Sequence, residues 1–105
     1  MKKQSSAIAK VYDESRFTKV DIIKNRRSSV FYLNFLPKQH MKPHTHPGRE
    51  LYLHVIEGRG TLFIDADEIE IETGDVIYCD PDEKVGFTNT GPDPVTIYGT
   101  MTKIN

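Results

Sequence analysis

The chain has almost no cysteine: Cys79 stands alone among 105 residues, which excludes an internal disulfide and suits a reducing compartment, so the cytoplasm is the expected location. It also has no long apolar run. No stretch approaches the roughly 20 residues of a membrane span, and the basic start Met1-Lys-Lys-Gln-Ser-Ser-Ala-Ile-Ala-Lys10 lacks the apolar segment that would follow in a signal peptide. No membrane association is expected. Charge of one sign is missing too: with 28% charged residues and a net charge of −1, nothing favours nucleic acid or an anionic surface as partner. A helical period is absent throughout, which leaves strands as the elements available for a core.

What is present is a series of short β-prone runs cut by turn residues. Residues 1–16 mix charges with isolated apolar residues such as Ile8, Val11 and Tyr12, and are read as an N-terminal arm or edge strand. Phe17 to Ile23 forms a first run that stops at Asn25-Arg-Arg-Ser28. Ser29 to Leu36 is rich in β-branched and aromatic residues and ends at Pro37. From Glu50 to Glu57, Leu51, Leu53 and Val55 alternate with Glu50, Tyr52 and His54, the pattern of a half-buried strand. Thr61–Ile64 and Glu68–Glu72 read as a hairpin about Asp65-Ala-Asp67, with the glutamates toward water. Val76–Cys79, Val85–Thr88 and Val95–Tyr98 complete the set, parted by Asp80–Lys84 and by Asn89-Thr-Gly-Pro-Asp-Pro94. About nine short strands in one domain spanning 1–105 predict an all-β antiparallel sandwich or barrel.

Chemistry concentrates in one place. Three of the four histidines, His40, His44 and His46, fall within seven positions, and His44 and His46 are one residue apart, so on an extended strand they share a face. Pro43 and Pro47 bracket the pair and disfavour a helix. Two neutral imidazoles followed by the carboxylate of Glu50 suit a divalent first-row ion, with Fe, Mn, Ni and Zn all compatible. The competing reading is a solvated His-x-His turn.

The order of these pieces resembles the cupin family. Its first motif, a His-x-His pair, a short turn, a Glu and a strand ending in Gly, is matched by His44, His46, Glu50 and Gly58. Its second, Gly-Asp, a strand, a Pro-containing turn, a His and an Asn, is matched by Gly74-Asp75-Val76-Ile77, Pro81 and Asn89. The resemblance implies a small antiparallel jelly-roll β-barrel. It leaves the function open, because the family includes dioxygenases, isomerases, decarboxylases, sugar-binding regulators and storage proteins.

Two departures bear on the site. The second-motif histidine falls at position 85, and the residue there is Val85. The strand from Glu50 to Gly58 is also one residue longer than the family pattern. Either Leu51 takes the ligand position and Glu50 faces outward, as the apolar alternation suggests, or a β-bulge near Leu53-His54 returns Glu50 to the interior. The run Pro47-Gly-Arg-Glu50-Leu-Tyr52 looks like the family's turn and strand start, and favours the bulge. In that register a carboxylate beside two imidazoles requires a cation or a proton.

Of the remaining candidates, His40 and His54 read as loop or surface histidines with a ligand role as the alternative. Tyr52 and Tyr78 read as core aromatics that could also donate to a substrate at the barrel mouth. Cys79 reads as a small core hydrophobe. His40, Tyr52, His54, Tyr78 and Val85 are thus the substrate-pocket candidates. Two functions compete: a metal-dependent enzyme of dioxygenase or isomerase type using His44, His46 and Glu50, and a non-catalytic small-ligand binding or sensor module with a degenerate metal site. Val85, an apolar residue at a ligand position, argues for the second. An exposed sheet edge with no helix to cover it predicts a homodimer.

Overall fold

The computed structural model describes residues 1–104. Nine strands follow a single turn of 3₁₀-helix at Ser6–Ala9: β1 (Thr18–Lys24), β2 (Ser28–Phe35), β3 (His40–His44), β4 (Arg49–Glu57), β5 (Arg59–Ile64), β6 (Asp67–Glu72), β7 (Val76–Cys79), β8 (Val85–Thr88) and β9 (Val95–Lys103). They form two antiparallel sheets, ordered β1-β2-β9-β4-β7 and β3-β8-β5-β6. Among the described residues the strands pair only within each sheet, so the architecture is a two-sheet jelly-roll sandwich. The turns at Asn25–Arg27 and Asp65–Ala66 fall where the polar residues placed them.

The core lies between the sheets. Phe31, Leu33 and Phe35 from β2, Leu51, Leu53 and Val55 from β4, and Val95 and Ile97 from β9 meet Met41, Leu62, Ile64, Ile71, Val85 and Phe87 from the facing sheet. β2, β4, β5, β8 and β9 each contribute alternate residues, because successive side chains on a strand point to opposite faces. At the centre Phe35 contacts Phe87 with ring centroids 4.8 Å apart and stacks on Phe17 at 5.0 Å. Cys79 is fully buried, and burial pushes its thiol up to about 11. Such a thiol is not a nucleophile at neutral pH.

Three features of the chain depart from a simple reading of its turns. His40–His44 is a strand rather than a turn, although Pro43 lies within it. Proline cannot donate to a ladder and is tolerated on an edge; β3 is an edge strand, and its pairing with β8 shifts register between Met41 and His44. Gly86 makes this possible, since a Cβ there would stand 2.8 Å from the Pro43 ring. The arm is anchored: the Asn34 side chain, fully buried, donates to the Ala9 carbonyl at 2.8 Å and accepts from Thr96 Oγ1 at 3.0 Å. Because the Thr96 proton is committed there, the Tyr12 hydroxyl donates to Thr96 Oγ1, at 2.6 Å. Asn89, buried beside β8, donates to the carbonyls of Phe35 and Asp93 and accepts from the Gly91 amide. Its motif position therefore serves loop geometry.

Candidate ligand site

The face that β4 turns inward decides the character of the site. Leu51, Leu53 and Val55 are 3%, 1% and 1% exposed, while Glu50, Tyr52, His54 and Ile56 alternate with them on the outer face. The extra residue of this strand is accommodated at Ile56, where the pairing with β9 skips between Val55 and Glu57. This corrects the bulge expected near Leu53-His54: the irregularity lies past the site, too late to turn Glu50 inward. The physical reason is the balance of burial. Three aliphatic side chains, each worth about 1.5–3 kcal/mol when buried, hold the register, and a slip of one residue would exchange all of them for Glu50, Tyr52 and His54.

Glu50 accordingly sits on the outer surface, where its Oε2 accepts from the Tyr78 hydroxyl at 3.1 Å. Asp80 Oδ1 stands at the same 3.1 Å, so the two carboxylates share the single phenolic proton. Partial desolvation and these two carboxylates hold the phenol well above its usual range. The rings of Tyr52 and Tyr78 are neighbours, centroids 5.1 Å apart, and both side chains are exposed, as is His54. His40 is exposed on the edge strand, opposite Thr88. Val85 is wholly buried and lies opposite His44 in the β3–β8 register. Of the residues singled out in the sequence, His44 and His46 are brought together at a cavity; Glu50, His40, Tyr52, His54, Tyr78 and Val85 do not line it.

That cavity, about 290 Å³, lies between residues of β1, β2, β4 and β9 from one sheet and Met41 and His44 of β3 from the other. Its walls are apolar: Phe31 and Leu33 from β2, Met41 from β3, Leu51 and Leu53 from β4, and Met101 from β9. Its mouth is basic, formed by Lys19, His44, His46 and Arg49. Strand periodicity places Arg49 on the same face as Leu51, and the pairing of Lys19 with Leu33 places Lys19 on the inner side of β1. Lys19 Nζ stands 4.6 Å from the centre of the Phe31 ring. The Arg49 role was readable from the β4 alternation; that of Lys19 depends on register and had no signal in the sequence.

The two imidazoles lie with centroids 4.6 Å apart, tilted by 54°. His44 Nδ1 stands 2.8 Å from the Lys42 carbonyl; a carbonyl only accepts, so Nδ1 carries a proton and, in the neutral ring, Nε2 is the acceptor. His46 Nδ1 is buried without a hydrogen-bond partner. Desolvation, then the nearby His44, Lys19 and Arg49 charges, lower the His46 pKa. The unfolded chain takes up a proton on this imidazole near 6.5, and the folded chain only at lower pH. The unfolded state therefore holds more protons between those values, so the contribution of His46 to stability is complete above 6.5 and is lost as pH falls below it. An NMR titration of the His46 ring should give a midpoint under 6.5, with the urea midpoint falling across the same range; a midpoint at or above 6.5 would mean a solvated ring.

The donor set does not fit a resident divalent ion. Two imidazoles are the only donors of their kind at the cavity, and among the described residues no third His, Cys, Asp or Glu joins them in a metal-holding group. Leu51 lines the cavity from the inner face of β4, the wholly buried Val85 stands opposite His44 where the resemblance implies a histidine, and two fixed cations, Lys19 and Arg49, share the mouth. Two imidazoles alone leave a first-row divalent ion without the third protein donor of the usual sites, and the neighbouring cations repel it.

No curated protein matches the chain. Solved structures do. The protein TT1209 from Thermus thermophilus superposes with a TM-score of 0.90 at 17% identity, covering 98% of each chain. An uncharacterised conserved protein with a double-stranded β-helix domain from Klebsiella pneumoniae gives 0.91 at 19% identity, covering 100% of this chain and 92% of that one. A predicted oxalate decarboxylase from Thermotoga maritima gives 0.70 at 18% identity, covering 90% and 99%. These likenesses establish the fold, and no helix is long and apolar enough to cross a membrane among the described residues. Residues 31–101, from the strand under the cavity to Met101 at its wall, match the cupin domain family, and the chain belongs to that family.

Proposed function

We propose that this cupin is a small-molecule binding module that holds its ligand directly in the cavity between the sheets, without a catalytic metal. The observation that carries this reading is Leu51, an aliphatic side chain pointing inward beside His44 and His46 where a metal enzyme would need a third donor. The cavity is about twice the roughly 150 Å³ that accepts a benzene ring in an engineered protein core, so it has room for one ring or a short branched chain with a polar substituent. The alternative, a metal-dependent dioxygenase or isomerase, would need Glu50 to abandon Tyr78 and β4 to shift by one residue.

The test is a fragment screen in excess EDTA, read by thermal shift and by the methyl resonances of Met41 and Met101. Small aromatic or branched compounds should perturb both methionines with the chelator present. Binding that appears only when a divalent ion is added would sink the proposal.

Association into a homodimer belongs to the same reading. Its support is the outer face of β4 and the edge strand β7, where Tyr52, Ile56, Val76 and Tyr78 are 46%, 39%, 66% and 42% exposed. A four-residue edge can pair with its own copy across a two-fold axis and cover these side chains. Sedimentation equilibrium should give a dimer in the wild type and a monomer for Val76→Lys. A monomeric wild type at high micromolar concentration removes the claim. A cytoplasmic location is supported by the single buried cysteine.

A further inference from the structure

The mouth of the cavity collects positive charge in a protein whose net charge is −1, and the segregation is sharp. Lys19, Arg49, His44 and His46 edge the cavity, and no Asp or Glu lines it. The basic character continues outside: a shallow groove that shares Lys19, Arg49 and Met101 with the cavity also presents Lys24, Arg26, Arg27 and Lys103, against one carboxylate, Asp21. Asp21 stands 3.6 Å from Lys19, an exposed contact of the kind worth little. Arg49 has no carboxylate within 4.0 Å among the described residues, and its Nη1 is 3.9 Å from the Met101 sulfur.

Arg49 and Lys19 need not have been placed there to stabilise the fold. Both stand on inward faces of the larger sheet, next to apolar walls, where cations repel one another and also depress protonation of His46. Arg49, exposed at the cavity mouth and without a carboxylate partner among the described residues, offers a site for a planar anion, which a guanidinium can grip through two parallel N–H groups. Taking the binding-module reading as its premise, we propose that the ligand is an amphipathic organic anion whose apolar body fills the cavity between Phe31, Leu51 and Met101 and whose carboxylate or phosphate head is held at the mouth by Arg49 and Lys19. Apolar burial supplies the affinity and the two cations select for charge.

The experiment compares three probes that share a phenylethyl body: 3-phenylpropionate, 3-phenylpropionamide and 2-phenylethyl phosphate. Each is titrated into the full chain in EDTA, with affinity read from the Met41 and Met101 methyl shifts. At least one anionic probe should bind tenfold or more tightly than the amide, and Arg49→Gln and Lys19→Gln should each erase most of that preference, the anion losing far more affinity than the amide. The tighter of the two anions identifies the head group as carboxylate or phosphate. Equal binding of all three would overturn the anion proposal and leave the binding module standing. Failure of all three to shift either methionine at millimolar concentration would overturn both. A preference for the anion that survives in both variants would also overturn the proposal, because the selecting charge would then lie elsewhere.

Discussion

Leu51→Ala should lower the unfolding free energy by about 2–5 kcal/mol, whereas Glu50→Ala, one residue earlier, should change it by less than about 0.5 kcal/mol. The contrast follows from the face each side chain takes. Leu51 is 3% exposed and contributes both to the core and to the cavity wall, so its truncation removes buried methyl groups and leaves space that the surrounding strands cannot close. Glu50 loses only an outer-surface hydrogen bond, and Tyr78 keeps its second acceptor on Asp80. Leu51→Ala should also weaken any ligand that binds in EDTA, because it removes contact area from the wall. Urea unfolding of the two variants checks the first statement directly. If Glu50→Ala proved the more damaging, the β4 register described above would be wrong and the carboxylate would belong to the interior.

The second large effect comes from installing the ligands that this chain lacks. The double variant Leu51→Glu, Val85→His places a carboxylate at the inward position of β4 and an imidazole opposite His44 on β8. Zinc or nickel affinity should rise at least tenfold over the parent, about 1.4 kcal/mol. Without metal the variant should be less stable than the parent, since a carboxylate and an imidazole are then buried without partners. Added zinc should therefore raise the melting temperature of the variant strongly and that of the parent little. A parent protein that binds zinc as tightly as the variant would show that two imidazoles suffice, and would return the metal enzyme to first place. A variant that folds but gains no affinity would show that positions 51 and 85 do not face a common centre with His44 and His46.

The limits of the sequence are clearest at Glu50. Its place three residues after Pro47, in a run that resembles the cupin turn and strand start, is sequence information, and it pointed inward. The alternation of Leu51, Leu53 and Val55 pointed the other way. Both signals are local, and an extra residue in the strand can be accommodated before, at or after the site. The choice is made by the partner strand: β9 pairs continuously from Lys103 to Ile97 and shifts only at Glu57, and nothing in residues 49–58 alone says so. Lys19 illustrates the same gap. It lies far before His44 in the chain and reaches the cavity because β1 pairs with β2, whose Phe31 and Leu33 form part of the wall.

By itself the sequence determined what depends on short-range chemistry. Alternating apolar residues, Gly, Pro and Asn-rich turns and the absence of a helical period fixed an all-β chain and most strand boundaries, and the His44-Thr-His46 spacing put two imidazoles side by side. Only the tertiary structure decided that Glu50 faces outward, that Tyr52 and Tyr78 lie on the outside, and that two fixed cations share the cavity mouth. Those properties depend on strand register and on the meeting of the two sheets. Both are set by the summed burial of many side chains across the sandwich, a quantity that no single stretch of sequence contains.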